Sequence, residues 1–296
     1  MTRLPDFLII GAMKAGTTSL YHDLSANPAV FMPTDKEPWS LAQEEVCQPE
    51  GLQRYAKHFR KASTHQTCGE ASTVYSQLPD ITGVPQRARQ VLGDQFKAIY
   101  LVRDPVSRII SHHNHEWIAG KITCGIDQAV RTYPRLINYS RYTMQITPWL
   151  EALGSERVLI VRFETYINDR RGTVASISRF LGVEPCLGGL RIDMAYNKSE
   201  GKPVPRGALA GLRRSQVYRR FLRPMLTPSA RERLRFALLP KAADRPDPPS
   251  VETVRHIFEQ VRDDAEHLRV LMGRNDPLWD FQAALRRGEE QTALRP

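Results

Sequence analysis

No long hydrophobic run, no paired-cysteine motif and no cysteine–histidine zinc pattern occurs in this sequence. No apolar stretch approaches the about 20 residues that a helix needs to cross a bilayer, so a helical membrane span is not expected. Only four cysteines occur in 296 residues: Cys47, Cys68, Cys124 and Cys186. No two form a C-x-x-C pair and no histidines complete a zinc pattern, so neither a zinc site nor a dithiol redox centre is expected. Four scattered cysteines in a chain this long read as free thiols of a reducing compartment. The early apolar stretch, Phe7 to Met13, is short, ends at Lys14 and has no small-residue cleavage site. It reads as a buried strand, not a signal peptide, and a cytoplasmic location is expected. Acidic residues are the minority, with 32 Asp+Glu against 42 Lys+Arg and a net charge of +10. That balance favours anionic partners. No RNA- or DNA-binding motif accompanies it, so a nucleic acid is not expected to be the partner. With 41% hydrophobic and 25% charged residues, the chain has the composition of a globular protein and the length for a substantial core.

The elements alternate. Phe7–Ile10 is apolar at every position, as a strand covered on both faces must be. Gly11–Gly16 is a loop, and a helix follows from Thr17 to about Ala26, closed by Asn27-Pro28. Leu52–Phe59 and Pro85–Leu92 read as helices, and Cys68–Ser72 as a strand running into a loop. "KAIYLV", Lys97–Val102, is a strand that leads through Arg103-Asp104-Pro105 into a helix reaching about Ile118. "VLIVRF", Val158–Phe163, is another strand, and Arg171–Leu181 a helix stopped by Gly182. Such alternation predicts a parallel α/β sheet flanked by helices. From about Gly207 the texture becomes basic with interleaved apolar residues. A proline-rich connector, "KAADRPDPPS", then precedes a periodic helix that ends near Gly273. One domain over 1–296 is expected, with an α/β core to about 206 and a mainly helical, basic region beyond it.

Two segments carry anion-binding chemistry. In "GAMKAGTTSL" a strand–loop–helix turn aims backbone N–H groups and the positive helix end at one spot. Gly11 and Gly16 permit close backbone approach, and Thr17, Thr18 and Ser19 add hydroxyl donors. The nucleotide-hydrolase loop places a lysine directly after its second glycine. Here that position is Thr17, and the lysine, Lys14, lies inside the loop. In "RDPVSRIIS" Arg103 falls at the carboxyl end of a strand, where α/β folds bind ligands. Asp104 is placed to cap the helix and Pro105 to start it. Ser111, seven residues beyond Asp104, shares roughly its helix face, so Arg103 and Ser111 can hold one phosphate. Two anion sites at two strand ends imply a ligand with two separated phosphates. A metal-dependent small-molecule kinase is the alternative, but no apolar strand ends in a lone aspartate suited to hold its metal.

These segments resemble the sulfotransferases that use 3′-phosphoadenosine 5′-phosphosulfate (PAPS). "GAMKAGTTSL" is similar to their 5′-phosphosulfate loop and "LVRDPVSRIISHHNH" to their 3′-phosphate motif. "KEPW" and "GEASTVY" resemble segments of the heparan-sulfate branch, "VRFETYINDRRGTVASISRFLGV" a further family stretch, and "HLRVLMGRNDPLW" the closing helix and tryptophan. The resemblance runs over roughly residues 5–280. It implies a P-loop-like, three-layer α/β fold and transfer of a sulfuryl group from PAPS to a hydroxyl or amine without a metal. Lys14 would contact the sulfate and the bridging oxygen. Ala15, Gly16, Thr17 and Thr18 would cradle the 5′-phosphate, with Ser19 a weaker contributor. Arg103 and Ser111 would hold the 3′-phosphate. Glu37 matches the branch's general base.

The chemistry asks for the same groups. The leaving oxygen gains negative charge, which a lysine in the loop can neutralise, and the acceptor must lose a proton to a carboxylate or histidine. Glu37 is the first candidate; His112, His113 and His115 are alternatives. Glu70, at a strand end, is placed to orient Lys14 or to serve as a second carboxylate. Lys198, Lys202 and Arg206 lie where the family folds a basic loop over the cofactor. The sequence departs from the heparan-sulfate branch at Ala71, where that branch has a lysine, and at Thr73-Val74. Loss of the lysine argues against a polyanionic glycan acceptor. Trp39 offers an aromatic surface suited to a sugar, lipid-linked or aromatic acceptor. The basic-apolar segment 212–223 reads first as an amphipathic helix packed on the core, with peripheral contact with an anionic membrane as the alternative.

Overall fold

The computed structural model describes residues 3–190, 246–283, 285 and 286. Lys198, Lys202, Arg206 and the basic segment 212–223 lie outside the described residues. Five strands form one sheet in the order β2-β3-β1-β4-β5, and every neighbouring pair is parallel. They are β1 (Phe7–Gly11), β2 (Val30–Phe31), β3 (Thr67–Ala71), β4 (Lys97–Val102) and β5 (Val158–Arg162). Leu8 is in register with Glu70 on one side and Ala98 on the other, and Ala98 with Val158. Every residue of β1 is buried, as its continuous apolar run requires.

Helices fill the connections: α1 (Thr17–Ser25), α2 (Pro49–Ala56), α3 (Val84–Leu92), α4 (Pro105–Ile118), α5 (Ile126–Thr132), α6 (Arg135–Asn138) and α7 (Tyr142–Leu153). After β5 come α8 (Phe163–Asn168) and α9 (Arg170–Leu181), then α10 (Val251–Leu271). The expected boundaries hold to within a few residues. The exception is α2, which starts at Pro49 because the proline supplies a preformed first turn, while Lys57–Phe59 tighten into a 3₁₀ turn.

From β1 the chain steps out to the edge strand β2, returns to β3 beside β1, and then crosses β1 to β4 and β5 on the other side. Strand order therefore reverses at β1. Such a reversal leaves a crevice at the carboxyl ends of the strands, the usual ligand position of an open α/β sheet. The loops after β1, β3, β4 and β5 all emerge along this edge. A large apolar cluster surrounds the sheet, and a second lies beyond it. There Val106 and Ile109 of α4 pack with Ile126, Ala129 and Val130 of α5 and with Val254, Ile257 and Val261 of α10.

Candidate anion-binding and active site

The loop after β1 makes a tight turn. Ala15 N–H donates to Ala12 O at 3.1 Å, and both Lys14 (φ 72°) and Gly16 (φ 93°) are left-handed. Gly16 precedes α1, and no side chain caps the helix there. The first-turn N–H groups of Thr17, Thr18 and Ser19 therefore lie at an uncapped positive helix end. Gly16 has a second constraint: a Cβ there would sit 2.7 Å from the Phe163 ring. Phe163 opens α8, directly after β5, so two strand ends meet at this glycine.

Arg103 follows β4. Its Nη1 donates to Lys14 O at 3.1 Å, and its guanidinium lies 4.8 Å from the centroid of the same Phe163 ring. Its backbone is clamped by Tyr142, whose hydroxyl donates to Arg103 O at 2.6 Å and accepts from Arg103 N at 3.3 Å. No carboxylate pairs with Arg103 among the described residues. Asp104 caps α4 as its position predicts: its Oδ1 accepts from Ser107 N at 2.7 Å, with Pro105 starting the helix. This second helix end is thus occupied, unlike that of α1. An anion beside it must be held by side chains, and Arg103 and the half-buried Ser111 are available. Glu164 ties the region together by accepting from Asp104 N at 2.7 Å and from Trp279 Nε1 at 3.2 Å.

Glu37 reaches the same edge from the β3 side. Its N–H donates to Ala71 O at 3.0 Å, while Ser72 N–H donates to Ile9 O at 3.1 Å and so ties this turn to β1. Glu37 Oε1 accepts from Lys36 Nζ at 2.6 Å; Oε2 accepts from Thr73 N at 2.8 Å and from Trp39 Nε1 at 3.2 Å. Glu37 (φ 64°) and Trp39 (φ 59°) are both left-handed, a strain that non-glycine residues keep only where the surroundings impose it. Trp39 is 49% exposed although it is one of the largest apolar side chains.

Glu70 has a different setting from the one expected. It is buried, and it accepts from Tyr55 and from Ser72 Oγ (2.6 Å), with Tyr75 as a further partner. Burial pushes its carboxyl above the usual range. Ser72 Oγ also accepts from Trp39 N at 3.4 Å, and Tyr75 OH accepts from Leu41 N at 3.1 Å. Glu70 therefore anchors the turn that carries Glu37. Among the histidines, His112 is buried, stacked on Tyr139 at 5.7 Å and within 3.4 Å of Arg108 through Nδ1. Burial, followed by the charge of Arg108, holds it well below the usual histidine range. His113 is also buried, with Nε2 2.9 Å from Cys124 O. Both have settings of packed interior residues; His115 lies on the exposed face of α4.

Phe163, Glu164, Tyr142 and Arg108 had no assigned role in the sequence. For Phe163 and Glu164 the available signal is their place directly after a parallel strand, where α/β sites gather. Tyr142 and Arg108 act through contacts distant in sequence and give no local signal.

Residues 4–191 match the sulfotransferase domain family, and the chain belongs to it. The match covers the sheet, the loop around Lys14 and the Arg103–Ser111 segment, and it sets aside the kinase alternative. The chain is 27% identical over 247 residues to human heparan sulfate glucosamine 3-O-sulfotransferase 6, covering 74% of this chain and 69% of that protein. It is 33% identical over 120 residues to the membrane-associated sulfotransferase kil1 of Dictyostelium discoideum, covering 39% of this chain. It spans only 24% of that relative's length. A solved sulfotransferase from Alicyclobacillus acidocaldarius has the same fold, with a TM-score of 0.63 at 20% identity over 96% of this chain and 99% of that one. Among the described residues no helix is long and apolar enough to cross a membrane.

Proposed function

We propose that this chain transfers a sulfuryl group from PAPS to a hydroxyl or amine of a small-molecule, sugar or lipid-linked acceptor, releasing 3′-phosphoadenosine 5′-phosphate (PAP). The observation that carries the reading is the contact of Arg103 Nη1 with Lys14 O at 3.1 Å. Through it the two anion motifs, 89 residues apart in sequence, form one site. The residues fit such a donor: an uncapped helix end and a glycine without room for a Cβ lie on one side, and an arginine with no carboxylate partner among the described residues on the other.

PAPS supplies the transferable sulfuryl group and a phosphate leaving group. Ala15, Gly16, Thr17 and Thr18 cradle the 5′-phosphate, the Ala15 N–H closing the loop on Ala12 O while the N–H groups that follow it face the anion, and Ser19 contributes more weakly. Arg103 and Ser111 hold the 3′-phosphate through charge-assisted and neutral hydrogen bonds. Lys14 neutralises charge at the bridging oxygen, a task that needs no metal. Glu37 takes the acceptor proton. A sugar hydroxyl is supported by the likeness to a glucosamine 3-O-sulfotransferase, and Ala71 argues against a polyanionic glycan. The exposed Trp39 beside Glu37 supports an acceptor with an apolar or aromatic face.

The reading extends to the chain as a whole. A single domain over 1–296 is supported by the packing of α10 on α4 and α5. A cytoplasmic location is supported by four unpaired cysteines.

The test is transfer of mass-tagged sulfate from PAPS to an acceptor pool in the presence of a chelator, with PAP binding followed by calorimetry. Wild-type protein binds PAP and transfers sulfate, and Lys14→Ala abolishes transfer. Absence of PAP binding overturns the reading.

A further inference from the structure

Arg108 is fully buried, at 0% exposure, on the helix that carries Ser111. A buried charge is costly unless it is paired. Yet among the described residues every hydrogen-bond partner of this guanidinium is uncharged or a histidine. Nε donates to Ser140 Oγ at 2.6 Å and Nη2 to Leu136 O at 2.5 Å, while Nη1 and Nη2 both lie 3.4 Å from His112 Nδ1. Burial and the charge of Arg108 hold His112 well below the usual histidine range, and an imidazole brings no negative charge in either protonation state. No carboxylate forms an ion pair with Arg108 among the described residues. The other buried cation–acid contacts differ in kind. Arg170 holds Asp23 through two bonds of 2.7 Å, and Glu116 has both Lys121 and Arg135 within 3.3 Å. Among the described residues Arg108 is thus an interior cation with hydrogen-bond partners and no countercharge.

Its position indicates what supplies the missing charge. Arg108 lies three residues before Ser111, one turn away on a shared helix face. A helical side chain leans back toward the helix start, which here is the Arg103–Asp104 end. Arg103 is near enough that the two positive charges oppose each other. Burial and this opposition lower the guanidinium to about 10, against the stabilising effect of nearby tyrosines. A dianion between Arg103 and Ser111 would relieve that opposition.

We infer that Arg108 is a positioning and selectivity residue: its uncompensated charge favours a ligand carrying a 3′-phosphate over the same nucleotide without one. The inference rests on the assignment of Arg103 and Ser111 to the 3′-phosphate. Arg108 touches neither the ligand nor the reacting atoms. It acts through the field inside α4, where low polarisability preserves electrostatic effects.

The experiment compares PAP with adenosine 5′-phosphate, which lacks the 3′-phosphate, by calorimetry on the full chain. The readout is the ratio of the two affinities in wild type, Arg108→Lys and Arg108→Gln. Lysine keeps the charge and loses the fork; glutamine keeps donors and loses the charge. The expected result is a preference for PAP in wild type, kept within about threefold by Arg108→Lys and reduced about tenfold by Arg108→Gln. A purely structural arginine would weaken both ligands equally and leave the ratio unchanged, or would lose it alike in both variants; either outcome overturns the inference. If Arg108→Gln does not fold, Arg108→Met fills the same space with an apolar chain and is read in the same way. Wild-type protein that binds PAP no better than adenosine 5′-phosphate overturns the 3′-phosphate assignment itself, a result separable from the failure of Arg108 alone.

Discussion

Glu37 is positioned by more contacts than a surface carboxylate needs. Lys36, Thr73 and the Trp39 indole all donate to it, and the turn beneath it hangs on Ser72, Tyr75 and the buried Glu70. A side chain held in this way keeps its place when its charge is removed. Glu37→Gln is therefore expected to bind PAP within about twofold of wild type while turnover falls about 10²- to 10⁴-fold, the usual contribution of a general base. Calorimetry beside single-turnover transfer checks both halves, and full turnover in the variant removes Glu37 from the role. Residues of this kind differ in how visible they are in the sequence. Lys14, Gly16, Arg103 and Asp104 are legible because their partners are neighbours in the chain or backbone groups of the next turn. Glu70 was placed at the right strand end, but its burial among Tyr55, Ser72 and Tyr75 is a property of packing. Arg108 and Glu164 were illegible because they act across 32 and 60 residues, on Ser140 and Asp104 respectively.

Among the elements, α4 carries the most. It starts at the Asp104 cap, carries Ser111 and buries His112 and His113. Both histidines titrate below the usual value of about 6.5, chiefly because of burial. The folded state therefore keeps them neutral while the unfolded chain takes up protons as pH drops below about 6.5. More protons on the unfolded side means that stability falls with acidification, by at most about 1.4 kcal/mol per pH unit for each histidine. Urea unfolding at pH 7.5, 6.5 and 5.5 should show this loss, and His112→Asn should flatten the slope below pH 6.5. An equal slope in the variant would show that His112 does not drive it. The strands β1, β4 and β5 were readable from apolar runs, and the stop at Gly182 from its left-handed requirement, met at φ 79°. β2 was not readable, because two residues, Val30 and Phe31, carry no period and exist as a strand only through pairing with Thr67 and Cys68.

Across the entire fold, the chain closes on itself through α10. Ile257 is fully buried against α4 and α5, and Asp264 accepts from the N–H groups of Thr143 and Met144 at 3.0 Å at the start of α7. Helix α10 thus braces both the helix of Ser111 and the helix of Tyr142. Ile257→Ala removes buried methyl groups far from the proposed ligand site and is expected to cost about 2–4 kcal/mol. Denaturant unfolding would measure that loss, while PAP affinity at 15 °C should stay within about threefold. A larger loss of affinity would mean that α10 shapes the site itself. Periodicity predicted this helix; its partners emerge only once the sheet has brought α4 and α7 to one side.

One ring gives the site its dimension. Phe163 touches both motifs: a Cβ at Gly16 would sit 2.7 Å from its ring, and the Arg103 guanidinium lies 4.8 Å from the ring centroid, so one side chain limits the space on the loop side and on the arginine side together. It acts as a caliper set from a third strand. Neither a larger residue at 16 nor a smaller one at 163 leaves that gap unchanged. The three positions are therefore free to vary only in concert, and a chain that altered one of them alone would be measuring its ligand against the wrong gauge.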